Sequence, residues 1–244
     1  MGNETDKSEG YLNWDQVTLN DFSAASIASM YDKGYVFTRL GKGLMIKTRS
    51  VRIDLLKFSP TSENRRILKK TDNISSTAIP LPLALPGCDT SLAYHYSIGK
   101  LAKDFYEIKF GKGVMSAQKI KEMLTDSKKS NFNSLLVYSL NEDAASDAPG
   151  QIGRETAIGY AICYCSAEII HYSYPFYDLM KSPKDMGLGM MIRAIEYAKK
   201  SGLKYAYLGS IQNKAGLYKL QFEGLEWFDG NGWSNDTGEI KKLF

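Results

Sequence analysis

The stretch Phe176–Ser210, FYDLMKSPKDMGLGMMIRAIEYAKKSGLKYAYLGS, limits most tightly what this chain can fold into. An apolar, aromatic run, Glu168–Tyr177, enters a turn containing Pro183 and then Gly187-Leu188-Gly189. Leu188, Met191, Ala194, Ile195 and Ala198 recur at the spacing of one helix face, which predicts a helix directly after the glycines. Gly202 supplies its stop, and Lys204–Leu208 returns as a short strand. The unit is therefore strand, loop, helix, strand. Its loop–helix junction offers backbone N–H groups at the positive end of a helix, a place for a phosphate or another anion. The third glycine and the later acidic residue of a dinucleotide fingerprint are absent, and no Gly-Lys-Ser/Thr closes a P-loop.

Several function classes drop out. No run of about eighteen apolar residues marks a membrane span. Ile79–Pro86 is apolar, but three prolines punctuate it and predict a packed loop or extended segment. The opening MGNETDKSEG is polar, without a signal-peptide core, and Asp6 stands where a myristoylation signal needs Ser or Thr. The expected compartment is the cytoplasm, with no membrane partner. Cys88, Cys163 and Cys165 make an odd count with no disulfide framework, and His95 and His171 lack metal-ligand spacing to them. All five are read as structural, and no metal site is expected.

In chain order, Thr18-Leu19-Asn20-Asp21 has the form of a capping box opening a helix to about Lys33, with Leu19, Phe22, Ala25 and Ala28 inward and Gly34 as its stop. Tyr35–Phe37 and Leu44–Ile46 read as strands joined by Gly41-Lys42-Gly43, and Val51, Ile53 and Leu55 alternate as a further strand. Ser59-Pro60 is expected to start a helix on which Arg65 and Lys69 share one face and Arg66 and Lys70 another. Net charge over the 244 residues is only +4, yet Lys47, Arg49, Arg52, Lys57, Arg65, Arg66, Lys69 and Lys70 gather in one block opposed by Asp54 and Glu63. Such a block reads either as a solvated face with ion pairs or as a phosphate track for nucleic acid. Without interleaved aromatics, the second reading means backbone and shape recognition of a folded RNA. Ser134–Leu140 and Ala157–Cys165 read as apolar strands around an exposed loop, Asn141–Gly153, and Glu223–Trp233 as a last strand and turn.

These blocks together resemble arginyl-tRNA–protein transferases and the related bacterial aspartate/glutamate leucyltransferases. The likeness rests on Thr18–Gly34 with Arg49–Lys70, and on Lys100–Leu124, where an aromatic helix precedes Met115-Ser116. It rests further on Phe176-Tyr177-Asp178, Met186-Gly187, Arg193–Ala198, Gly202-Leu203, Tyr205–Gly209 and Tyr218-Lys219-x-x-Phe222. The resemblance spans about residues 15–230 and implies an α+β chain with a GNAT-like acyltransferase fold, a mixed, mostly antiparallel sheet flanked by helices. It implies an aminoacyl-tRNA donor, transfer to the N-terminal α-amine of acidic-start proteins, arginine ahead of leucine, and a place in the N-degron pathway of protein degradation. No resident cofactor is expected. The family's amino-terminal cysteine cluster is missing, Leu44–Thr48 lacks the expected cysteines, and Ser210-Ile211 replaces the usual aromatic pair. The fold carries over, whereas the transferred amino acid and the acceptor do not follow from these segments.

An aminoacyl ester is already activated, so positioning of the amine, oxyanion stabilisation and movement of one proton suffice. Asp178 is the candidate to orient the amine or relay its proton, against a turn-capping role for the same carboxylate. Tyr207 and Ser210 are candidate hydroxyl donors. Arg49, Arg52, Arg65, Arg66 and Lys69 are candidates to grip tRNA phosphates or an acceptor carboxylate, with Lys219 for either purpose or none. Tyr177, Gly187 and Gly189 complete the binding set. A GNAT enzyme using acyl-CoA, with Lys184-x-x-Gly187-x-Gly189 at the pantetheine-pyrophosphate position, and a non-catalytic tRNA- or degron-binding protein are the alternatives. The expected organisation is a poorly ordered 1–15, an N-terminal lobe at 16–90 and a catalytic domain at 91–244, with the last two open to forming one unit. Oligomeric state is left open.

Overall fold

A computed structural model describes residues 12–85, 93–141 and 156–244. Expectations for the extreme N-terminus, for Cys88 and for most of the Asn141–Gly153 loop lie outside these residues. The elements run β1 (Asp15–Thr18), α1 (Ala24–Asp32), β2 (Tyr35–Phe37), β3 (Leu44–Lys47), β4 (Ser50–Asp54), α2 (Ser62–Lys70) and β5 (Ile74–Pro80). Then come α3 (Tyr96–Phe110), α4 (Ala117–Thr125), β6 (Ser134–Leu140), β7 (Ala157–Cys165), β8 (Ile169–Tyr177), α5 (Met186–Lys200) and β9 (Tyr205–Ser210). A 3₁₀ segment (Lys214–Gln221), β10 (Leu225–Phe228), β11 (Trp233–Ser234) and α6 (Thr237–Lys241) finish the chain.

Eight strands form one sheet in the order β11-β10-β4-β9-β8-β7-β6-β5, and β1-β3-β2 form a second, smaller one. Every neighbouring pair in the large sheet is antiparallel except β8 and β9, which α5 joins as a crossover. This is the mixed, mostly antiparallel sheet flanked by helices expected of a GNAT-like acyltransferase fold. β4 lies between β9 and β10 and β5 pairs with β6, so residues 16–90 and 91–244 share the large sheet.

Alternation sorts the strand side chains onto two cores. Leu136, Tyr138, Ala161, Cys163, Ile170, Ala206 and Leu208 face α2 and α5. Leu135, Val137, Tyr160, Ile162, Ile169 and Tyr207 face α1, α3 and α4. α5 buries Met186, Met190, Met191, Ala194, Ile195 and Ala198, and Gly202 ends it with φ 74°. Being covered on both faces, β6 and β7 carry apolar residues on both faces rather than alternating.

Two helix starts fall later than the sequence suggests. α1 is capped by Ser23, whose hydroxyl accepts from Ser26 N, while Leu19 N still donates to Gly43 O and continues the β1 hairpin contacts. Asp21 instead holds Ser23 through its N–H (2.9 Å) and hydroxyl (2.8 Å), and Phe22 is exposed ahead of the helix. α2 begins after Thr61, which forms a reciprocal capping box with Asn64, so Pro60 lies outside it. Among the described residues no helix is long and apolar enough to cross a membrane, and no group of three His, Cys, Asp or Glu converges.

Candidate active site

β8 and β9 pair only over Ile169–His171 and Tyr205–Tyr207. On β8 the register to β7 steps from Cys163↔Tyr172 to Ile162↔Tyr174, which leaves Ser173 as a bulge. The bulge reverses the alternation: Ile170 and Tyr172 face the α5 core, whereas Phe176 faces the α3 core. On β9, Gly209 sits at φ 76° where the pairing with β4 skips from Tyr207 to Ser210. At this open end the 3₁₀ segment sends in Lys219, whose Nζ donates to Leu208 O (2.7 Å) and Ser210 O (2.9 Å). Burial pushes its pKa down to about 8. Ser210 is fixed in turn, its Oγ accepting from Gln212 Nε2 at 2.6 Å.

Below this opening lies a buried aromatic cluster. Tyr31, fully buried, meets His171 Nδ1 at 2.8 Å and packs edge-on to Tyr207 with ring centroids 4.8 Å apart. Burial, with a smaller push from the Lys219 charge, lowers the His171 pKa to about 3, so the ring is neutral. Tyr207 is 1% exposed, and Arg52 Nη1 donates to its hydroxyl at 3.3 Å. Burial raises its pKa to about 12. The expectation of a Tyr207 hydroxyl beside an acceptor groove is corrected: period-two alternation along β9 turns it into the α1 core. Arg52 is likewise corrected. It is 6% exposed, reaches Glu226 Oε2 (2.8 Å) and Asp32 Oδ1 (2.9 Å), and lies between the Tyr205 and Trp233 rings at 3.9 and 4.0 Å. Its place opposite Glu226 in the β4–β10 register makes it part of the sheet's interior rather than of a phosphate-facing surface.

Tyr177 and Asp178 line a cleft of about 510 Å³ between α3 and the end of β8. Ile98, Leu101, Phe105, Ile108, Tyr160 and Leu179 supply the apolar part of its walls, and Phe105 meets the Tyr177 ring at 4.8 Å. Asp178 Oδ1 accepts from Met180 N (2.9 Å) and Lys181 N (3.1 Å), the turn-capping arrangement, and Oδ2 stands outside both bonds. The cleft's remaining charges are Lys100 and Asp104, paired at 2.6 Å, and Lys181.

The two glycines lie in the first turn of α5, not ahead of it. Gly187 packs on Tyr177, its absent Cβ 3.3 Å from the hydroxyl, and the Gly187 N–H works against the burial that raises the Tyr177 pKa. Gly189 is buried against α2's last turn, where a Cβ would fall 2.9 Å from Thr71 Oγ1. Arg193, one turn on, secures the same junction through Thr71 Oγ1 (2.7 Å) and Ile74 O (3.1 Å). The glycines thus serve close packing, and the expected open cradle of N–H groups is not formed.

The basic block divides. Arg65, Arg66, Lys69 and Lys70 are exposed on α2, with Arg65 on Pro60 O, Arg66 Nε on Glu63 at 2.6 Å and Lys70 on Asp185 at 3.2 Å. Arg49 turns inward: Nη1 donates to Ile211 O at 3.3 Å, the guanidinium lies 5.1 Å over Phe244, and burial lowers its pKa. His171, expected to be structural, is buried against Tyr31, and neither Tyr31 nor Tyr172, whose buried hydroxyl has no partner among the described residues, is singled out by the sequence. Pro175 within an otherwise regular strand was the available sign that β8 carries a bulge.

No family model matches the sequence. The chain is 28% identical over 193 residues to an aspartate/glutamate leucyltransferase of Rhizobium meliloti, covering 78% of this chain and 70% of that protein. The enzyme of the same name from Sinorhizobium medicae is 28% identical over 198 residues, covering 79% and 71%. Both relatives are leucyltransferases by name, where the sequence reading placed arginine first. Among solved structures, FemX aligns at a TM-score of 0.46 with 10% identity, over 91% of this chain and 71% of its own. L-PGS from Bacillus licheniformis aligns at 0.44 with 12% identity, over 90% and 68%.

Proposed function

We propose that this protein is an aminoacyltransferase that moves an amino acid from aminoacyl-tRNA to the N-terminal α-amine of proteins beginning with Asp or Glu, in the cytoplasmic N-degron pathway. Similarity to aspartate/glutamate leucyltransferases over more than three quarters of the chain carries this reading and puts leucine ahead of arginine as the donor amino acid. The amine nitrogen attacks the ester carbonyl carbon, the bond to the ribose oxygen breaks, and the proton lost by the amine ends on that oxygen. An α-amine has a pKa near 7.7–8.0, so a useful fraction is neutral at pH 7. Alignment of amine and ester is worth on the order of 7–11 kcal/mol, which makes positioning the main task of the side chains.

In this reading Asp178 orients the amine in the cleft, and Tyr177 forms the wall between that cleft and the α5 N-terminus. Lys219, held by two carbonyls at the open end of β9, supplies positive potential where the oxyanion develops. Arg65, Arg66 and Lys69 on α2 meet tRNA phosphates, on the sheet face opposite α3.

The test is a transfer assay with leucyl- and arginyl-tRNA and peptides beginning with Asp, Glu or Ala. Leucine transfer to the acidic peptides, lost on Asp178→Ala, is the expected result. Binding of acetyl-CoA without transfer from either tRNA would replace the reading by an acyl-CoA enzyme. tRNA or peptide binding without transfer by any donor would replace it by a binding protein.

A further inference from the structure

The apolar cleft between α3 and the end of β8 carries four charged residues, and their arrangement is uneven. Lys100 and Asp104 satisfy each other across one helical turn at 2.6 Å. Lys103 adds a longer contact to Asp104 at 3.9 Å. That leaves Asp178 and Lys181 as the charges without an ion-pair partner among the described residues. They are not independently placed. Asp178 Oδ1 receives the Lys181 N–H, and Ser182 N closes back on Asp178 O at 3.0 Å, so one short turn fixes where both side chains leave the backbone. Met180, 94% exposed, and Ile108, 71% exposed, lie on the same rim.

The first residue of a chain beginning with Asp or Glu carries two opposite charges within a few bonds, an α-ammonium and a side-chain carboxylate. A carboxylate and an ammonium carried on one short turn, at the rim of a cleft walled in part by apolar side chains, match that pair. We propose that Lys181 is the residue that selects acidic first residues, pairing with the acceptor's side-chain carboxylate while Asp178 faces its α-amine. This rests on the aminoacyltransferase reading and deepens it. It also moves acceptor recognition off the arginines of the basic block: Arg49 and Arg52 are turned inward, and Arg65 and Arg66 sit across the sheet.

The experiment is a competition in one vessel between two peptides identical except for a first residue of Asp or Asn, with product ratios read by mass spectrometry. A ratio is insensitive to the fraction of enzyme that folds. Wild type should favour Asp, and the preference should shrink as salt rises. Lys181→Glu should lower the Asp-to-Asn ratio about tenfold or more, through like-charge opposition. Lys181→Met should lower it less, and Lys128→Glu, an equal charge change on an exposed turn after α4, should leave it unchanged. An unchanged ratio in Lys181→Glu overturns the assignment while leaving the aminoacyltransferase reading intact. Equilibrium binding of the same two peptides separates the two claims further. Equal affinity of wild type for Asp and Asn peptides overturns the Lys181 assignment whether or not transfer occurs. Absence of transfer together with a Lys181-dependent Asp preference overturns the transferase reading alone.

Discussion

His171 is buried with its Nδ1 against the Tyr31 hydroxyl, and its neutral form is the one the fold accepts. Its pKa falls from 6.5 to about 3. Between those values the unfolded chain binds a proton that the folded one refuses, so the contribution is complete above pH 6.5 and lost as pH falls toward 3. The carboxylates whose pKa values are lowered act below about pH 4.5, given ordinary values near 4. The loss between pH 6.5 and 4.5 therefore belongs mainly to the histidine, at about 2–3 kcal/mol. Urea unfolding across that range should show it in wild type, and His171→Gln, which keeps an acceptor for Tyr31, should abolish it. Arg52 is the second residue whose role is set by burial. Removing it by Arg52→Ala leaves Glu226, 17% exposed, with only the 3.6 Å contact to Lys57 beside a vacated space between two rings, and should cost about 2–3 kcal/mol in urea unfolding. If it gripped tRNA instead, the variant would keep its stability and lose donor affinity.

Among the elements, α5 was the most legible. Its 3.6-residue apolar period and terminal Gly202 are local signals, and they appear in the structure where they were read. The two glycines inside it were legible as unusual but not for their reason, because Thr71 lies more than a hundred residues away in the chain and nothing local announces it. Gly189→Ala should cost about 1–3 kcal/mol by forcing α2 and α5 apart. Thr71→Ala in the same chain should recover part of that loss in thermal unfolding, since it removes the atom that the new methyl group meets. The α1 and α2 starts slipped for a different cause. Leu19 N is taken up by Gly43 O and Thr61 bonds reciprocally with Asn64, so the helices begin after Ser23 and Thr61 rather than at Thr18 and Pro60. The β8 bulge was signalled only by Pro175, and its consequence, the reversal that separates Tyr172 from Phe176, depends on β7.

At the scale of the whole molecule, the charge distribution decides how the two proposed substrates approach. Exposed cations on α2 occupy one face of the sheet, and the cleft beside α3 opens on the other. Arg65→Glu with Lys69→Glu should raise the KM for aminoacyl-tRNA and lower its salt dependence by about one to two units of log–log slope, leaving kcat unchanged. Measuring KM at several salt concentrations checks this. The basic block was legible as a cluster in sequence, but its division into an exposed helix and two inward arginines was not, since Asp32, Glu226, Ile211 and Phe244 come from four other parts of the chain.

β4 also has a consequence for how this protein is made. Its two sheet partners, β9 and β10, are supplied by the last fifth of the chain, and Ile53 pairs with Ala206 about 150 residues later. During synthesis Val51 and Ile53 emerge early and wait, with both edges of their strand open, until β9 and β10 have left the ribosome. Completion of the large sheet therefore waits on β9 and β10, and any stop that removes them releases a product in which Val51 and Ile53 sit on an unpaired strand, a natural target for chaperones and proteases.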